Sequence, residues 1–460
     1  MTTDTATLAR HTQDALQPRA AGRALFDARG CPVSTRSQAA IEHAELAQRA
    51  ALSFVGDPLA PLDAAIAADP QWALPHVMKA NLMLATSEHG YAELARGSLQ
   101  AAAALAEQAN ERERAHIAAT RLCLQGHWVE AADAWERLLL EHPQDLVALG
   151  TAHVFDFYRG DARNLQRRIS RVLPQWSRSA PLYSYVLGMH AFGLEENNHY
   201  AMALETGQAA LALERRDGWA VHAVAHVHEM RGEYQAGEQW LRSRCDDWAP
   251  DNGLAYHNWW HLALFQLERC DTAAALALLD ERVIPGAETA LPRIDVTAML
   301  WRLRLMGVDL GARWQRIADA WPAKAPEAGY YAFNDVHAAL AQIGAGRLQP
   351  AGEILAAMQR RSGEDTTPGR MAAQVGVPLL RGLLAHAGER HGEAVESLWQ
   401  ARDGCHRFGG SHAQRDLVDL TLLDAAVRSG QRRLARHLLN ERLPTKAASP
   451  LTAHWAQRIG

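Results

Sequence analysis

At 460 residues the chain is long enough for several globular domains or for one stack of small units in which each packs on its neighbours. Its formal charge of -5, from 47 basic and 52 acidic residues, is small for that size and excludes a general pull toward nucleic acid or an acidic membrane surface. Ala, Leu, Arg, Glu and Gln dominate and alternating Val/Ile/Thr stretches are nearly absent, which predicts an all-α protein.

From the N-terminus, Met1-Thr2-Thr3-Asp4 shows no basic run before an apolar core, and no stretch approaches the ~18 apolar residues a membrane span needs. The five cysteines, Cys31, Cys123, Cys245, Cys270 and Cys405, form no CxxC pair, which argues against a disulfide framework and a thiolate zinc site. A soluble, unprocessed cytoplasmic protein is the expectation. Residues 1–56, with Pro18, Gly22, Gly30 and Pro32, read as a loosely ordered arm leading to a first helix that starts near Ser37.

Residues 57–443 read as repeats, and the segment Ala115 to Asp145 shows the unit most clearly. A turn glycine, Gly126, is followed by Trp128, Ala131, Trp135, Leu138 and Pro143, the offsets of a tetratricopeptide unit of about 34 residues. Small residues at such offsets let two antiparallel helices approach closely. Weaker copies follow at Asn198 with Tyr200 and Ala203, Gly232 with Tyr234 and Gly237, Cys270 with Ala275, Gly346 with Ala351, and Gly430 with Ala435. Pro292, Pro322 and Pro326 predict longer connections or helix breaks before Gly346, so the expected fold is an irregular tetratricopeptide-like helical-repeat solenoid. Residues 444–460 read as a loose C-terminal tail.

Side chains three, four and seven positions apart share one face of an α-helix. Trp219, His222, His226 and Glu229 have that spacing, on the first helix of the unit turning at Gly232. One unit later His257, Trp260, Leu264 and Leu267 hold the corresponding positions, with His261 one residue off that line and four from His257. First helices line the concave groove of such a stack and neighbours lie about 8 to 10 Å apart, so His222, His226, Glu229, His257 and His261 can share one pocket. Taken singly, each of these histidines reads as a packed, hydrogen-bonded core residue. Together they point further, because several imidazoles in one groove repel if protonated and are desolvated if neutral.

Two readings of that cluster follow. Zinc or iron takes neutral imidazole nitrogens plus a carboxylate; His222, His226, His257 and His261 are the candidate ligands, with Glu229 or His257 completing three beside the His222/His226 pair, although no HExxH run is present. Without an ion, Glu229 beside His226 is a candidate general base, and Trp219, Trp259 and Trp260 offer flat surfaces to an aromatic ligand. Asp335 and His337 on a later first helix, and the Gly409-Gly410-Ser411-His412 turn with Arg415, are candidates to close the site; that turn suits an anion or a simple Ser411 N-cap. Glu195-Glu196 reads as an exposed helix-end pair.

The segments His222-Ala223-Val224-Ala225-His226-Val227, His257-Asn258-Trp259-Trp260-His261 and Gly410-Ser411-His412-Ala413-Gln414-Arg415-Asp416 resemble the tetratricopeptide repeat protein 38 family, from about Asp57 onward. The Asn334-Asp335-Val336-His337 segment is similar to the same family. The resemblance implies a helical-repeat fold and brings no reaction. No nucleophile elbow, P-loop, dinucleotide fingerprint or kinase motif set is present, so any chemistry is expected to be metal-assisted or acid–base, with hydrolysis as the default class. The sequence therefore favours a small-molecule site in a His/Trp/Glu-lined groove, and the alternative is an adaptor that binds a peptide or helix of a protein partner.

Overall fold

A computed structural model describes residues 25–460, apart from Ala323, Ala325, Ala447 and Ala448. The part of the expected N-terminal arm before Leu25, including Pro18 and Gly22, lies outside the described residues. Beyond a two-stranded antiparallel ribbon, Leu25–Phe26 with Pro32–Val33, the regular structure is helical. Ser37 caps the first described helix, Gln38–Ser53, by accepting from the Ala40 amide.

The protein is an all-α tetratricopeptide-like helical-repeat solenoid. All six turn anchors read from the sequence lie between paired helices with positive φ: Gly126 at 84°, Asn198 at 63°, Gly232 at 70°, Cys270 at 61°, Gly346 at 76° and Gly430 at 74°. Further turns of the same kind occur at Ser87, Gly160, Gly307 and Glu389. The turn at Gly307 changes the expected layout. Pro292 lies inside the helix Ala290–Leu305, near its start where its missing N–H costs nothing, and this helix pairs with Arg313–Ala320 as an extra unit.

Helices pack within units and between them. Tyr183–Glu195 lies on Tyr200–Leu213, on the preceding Ala162–Val172 and on the following Gly218–Met230. At the second of these contacts Gly193 has no room for a side chain: a Cβ there would sit 2.6 Å from the Leu165 carbonyl oxygen. We expect Gly193→Ala to cost about 1–3 kcal/mol in urea unfolding; unchanged stability would mean that the two helices can part at no cost.

The stack also bends back on itself. The Asn252 amide donates to the Ser53 carbonyl across 199 positions, the His89 amide to Glu327 across 238, and the Asn334 amide group to Ser87 across 247. At about 34 residues a unit these separations amount to roughly six or seven units, so first helices from the whole circuit face a common centre.

The end of the chain differs from the expected loose tail. Pro444 lies within the helix Arg432–Lys446, and Pro450 opens a further helix, Pro450–Ile459, capped by Ser449. Leu451, Trp455 and Ile459, spaced by four, are buried. Lys446 is buried too, its ammonium 2.7 Å from Glu268. No described helix is long and apolar enough to cross a membrane.

Candidate metal centre and its cavity

Two adjacent first helices build the site. Gly218–Met230 is capped by Asp217, whose carboxylate accepts from the Ala220 amide at 3.0 Å. Ala255–Glu268 starts just after Asn252, whose side chain accepts from the Leu254 amide at 2.8 Å. The inward faces of these helices bring His222, His226, His257 and His261 together, all buried. One ring nitrogen from each lies within 4.8 Å of those from the other three. Nε2 of His226 is 2.9 Å from Nε2 of His222. Ring centroids are 4.4 Å apart for His226 and His261, and 4.8 Å apart for both His222–His257 and His257–His261.

The opposite nitrogens of three rings point at carboxyl groups. His257 Nδ1 is 2.7 Å from Asp295, His261 Nδ1 is 3.0 Å from Glu229, and His226 Nδ1 is 3.5 Å from Glu195. A carboxylate that accepts from Nδ1–H fixes the tautomer and leaves the Nε2 lone pair free. His261 Nε2 is buried with no hydrogen-bond partner among the described residues. The rings therefore turn nitrogens toward one another with the His222–His226 hydrogen bond between two of them and His261 Nε2 left unpaired among the described residues, an arrangement that costs desolvation and gains little from packing alone.

Electrostatics point the same way. Burial, then the neighbouring imidazoles, push His222 and His226 well below the usual histidine range; burial, then His257, does the same to His261, so these three are neutral at physiological pH. Burial raises Asp295 and Glu229, and burial followed by Glu196 and Glu229 raises Glu195 well above the ordinary carboxyl range. Both Glu195 oxygens lack hydrogen-bond partners among the described residues. Three neutral imidazoles ringed by underused carboxyls form a donor set that a cation would satisfy.

A cavity of about 270 Å³ opens beside His222 and His257, at the centre of the circuit of first helices. Its walls include Leu52, Met78, Val154, Phe157, Phe192 and Trp219, and Asp295, Ser411 and Gln414 adjoin the histidine side.

The structure divides the remaining candidates. Trp219 lines the cavity and packs on Phe54 and His153. Trp260 is fully buried and stacks on His257 with centroids 5.2 Å apart, backing the cluster outside the cavity. Trp259 is displaced from the site: one residue earlier on the helix turns it about 100° away, against Trp248 and under the Arg282 guanidinium. Glu229 does not pair with His226 as expected. It holds His261 on the side away from the other rings, 3.6 Å from the Lys446 ammonium, so its place is a positioning one.

Asp335 and His337 sit apart from the four histidines. Asp335 accepts from the Gly329 amide at 2.9 Å, and burial pushes its carboxyl up to about 8; His337 is 2.8 Å from the Phe333 carbonyl. The Ser411 turn is a complete capping box with Gln414. The anion it holds is the protein's own Glu196, which accepts from the His412 amide at 3.0 Å and lies 3.3 Å from Arg415. Glu195 and Glu196 are accordingly buried, where an exposed pair was expected. Asp295, absent from the sequence-derived candidates, is the member sequence reasoning missed; its only signal was a lone carboxylate in the apolar run Ile294 to Leu300.

No protein-family model matches the sequence. Among solved structures the chain is similar to the human IFIT1 dimer with PPP-AAAA, at 13% identity and a TM-score of 0.41, over 91% of this chain and 94% of that chain.

Proposed function

We propose that this protein binds a small molecule in the central cavity, and that His222, His226, His257 and His261 hold a divalent transition-metal ion which the molecule's polar end reaches. The observation that carries this reading is the pairing of convergent ring nitrogens with outward Nδ1 atoms facing Asp295, Glu229 and Glu195. An ion with metal–nitrogen bonds of about 2.0–2.1 Å needs tetrahedral ligand nitrogens roughly 3.3 Å apart, and the present spread of up to 4.8 Å allows that with small ring movements.

Coordination number bears on the chemistry. Zinc with four imidazoles is closed and keeps no position for a reacting group unless one ring lets go. Iron(II) accepts further ligands and would keep open positions beside the cavity. Metal-assisted chemistry, hydrolysis included, is thus proposed for an ion bound by three of the rings or for one of higher coordination. The adaptor reading requires an open groove, and here the helix Gln38–Ser53 packs against Gly218–Met230 across the circuit.

Kinship with the tetratricopeptide repeat protein 38 family is part of the same proposal, since two of the resembling segments carry the four histidines. A reducing, cytoplasmic setting is supported by five unpaired cysteines, and the net charge of -5 supports a reading without a nucleic-acid partner. Inductively coupled plasma mass spectrometry on untagged protein tests the centre. Near-stoichiometric zinc, iron or manganese, lost in His222→Ala/His226→Ala at unchanged helix content, is expected. A wild-type chain that retains none of these ions after direct reconstitution would rule the centre out.

A further inference from the structure

We propose that the occupant of the central cavity is an uncharged, largely apolar molecule carrying a single polar end, which lies at the histidine side. The inference rests on the small-molecule reading above and adds the class of ligand.

The lining itself carries the argument. Among the described residues no lysine or arginine lines the cavity, so in the metal-free chain an anionic ligand such as a phosphate ester, a carboxylate or a nucleotide would enter without a counter-charge. Among the described residues the single carboxylate on the wall, Asp295, is engaged by His257 at 2.7 Å through one oxygen, which leaves at most the other to a cationic ligand. Several of the other polar wall groups are also spoken for. Tyr158 donates to the Ala85 carbonyl, Thr151 to the Val147 carbonyl at 2.7 Å, and the Gln414 side chain accepts from the Ser411 amide at 3.0 Å. What remains is a wall of leucine, valine, methionine and aromatic side chains, which selects by apolar area and shape.

Polar recognition is left to the two ends. On one side His222 and His257 border the cavity. On the other, Asn81 accepts from Thr120 at 2.8 Å but keeps a buried amide nitrogen without a hydrogen-bond partner among the described residues. A ligand with one oxygen or nitrogen at the histidine side, where His222 Nδ1 and Asp295 Oδ1 are unpartnered among the described residues, and a long apolar body suits this wall, and the Asn81 N–H can take a second weak acceptor.

A matched pair of probes separates charge from shape. N-phenyl-1-naphthylamine is neutral, and 8-anilino-1-naphthalenesulfonate carries the same rings with a sulfonate. Each is titrated by fluorescence against the full chain, metal-free and metal-loaded. We expect saturable one-to-one binding of the neutral probe, in the metal-free chain at least about tenfold tighter than the sulfonate. Gly150 lines the cavity, and a Cβ added there meets only the Leu52 side chain at 3.6 Å, so Gly150→Phe fills space without breaking its helix.

Gly150→Phe and, independently, Val154→Trp should each weaken the neutral probe about tenfold or more while metal content is unchanged. In His222→Ala/His226→Ala the neutral probe should still bind after the metal is lost. That result, or neutral-probe binding by a wild-type chain that takes up no metal, would support the ligand class even where the metal centre fails. A sulfonate that binds the metal-free chain as tightly as the neutral probe, no saturable neutral-probe binding, or binding undiminished in both cavity variants would overturn the proposal.

Discussion

Asp145→Asn is expected to lower the unfolding free energy by roughly 3–5 kcal/mol, the cost of stripping a buried cation of its partner. Asp145 is fully buried, 2.6 Å from Arg112 Nε and 2.8 Å from His116 Nε2, and it caps the helix Leu146–Tyr158 through the Ala148 amide. Asparagine can keep the cap, so the loss measures the charge. Arg112 is itself buried and would retain only the Pro32 carbonyl at 3.2 Å and the more distant Asp27 at 3.8 Å.

The effect depends on pH in a definite direction. Burial alone would raise the Asp145 carboxyl, but Arg112 and His116 hold it well below the usual carboxylate range. With the folded-state value below the unfolded one, its stabilising contribution is fully present above about pH 4 and is lost as pH falls through the folded-state value. The stability gap between wild type and Asp145→Asn, followed by urea unfolding from about pH 6 downward, should therefore narrow with acidification. A gap that is constant or widens would show that the pair does not store the energy assigned to it.

Asp295→Asn is the second large effect. Its side-chain oxygen can still accept from His257 Nδ1, so the ring keeps its orientation while the negative charge behind it is removed. Loss of such outer partners typically lowers metal affinity 10- to 100-fold, and chelator competition on reconstituted protein should show that drop. Asp295→Ala, which removes the hydrogen bond as well, should fall further. Equal affinity in wild type and both variants would mean that His257 is not a ligand.

The histidines were legible because both pairs repeat at four residues on helices whose order the turn anchors fix. Two of their outer partners were not, since Asp295 and Glu195 come from helices of other units and only the stack brings them in. Trp259 shows how narrow the margin is: a single residue of helical rotation, about 100°, moves a ring out of the site. The unit turning at Gly307 escaped notice because its second helix starts at Arg313, six residues on, whereas Trp128 follows Gly126 by two. At the C-terminus the prolines at 444 and 450 masked a period of four that Leu451, Trp455 and Ile459 carry openly.

The contacts that join Ser53 to Asn252 and Ser87 to Asn334 turn a stack into a circuit. In an open stack a unit can be added or dropped, and the array merely lengthens or shortens. In a circuit the small rotations between successive units must sum to the same total each time, so the number of units becomes a fixed quantity, as the number of staves is in a barrel. An inserted or deleted unit between Ser53 and Asn252 would leave the two ends out of register, and the cavity at the hub would lose its wall.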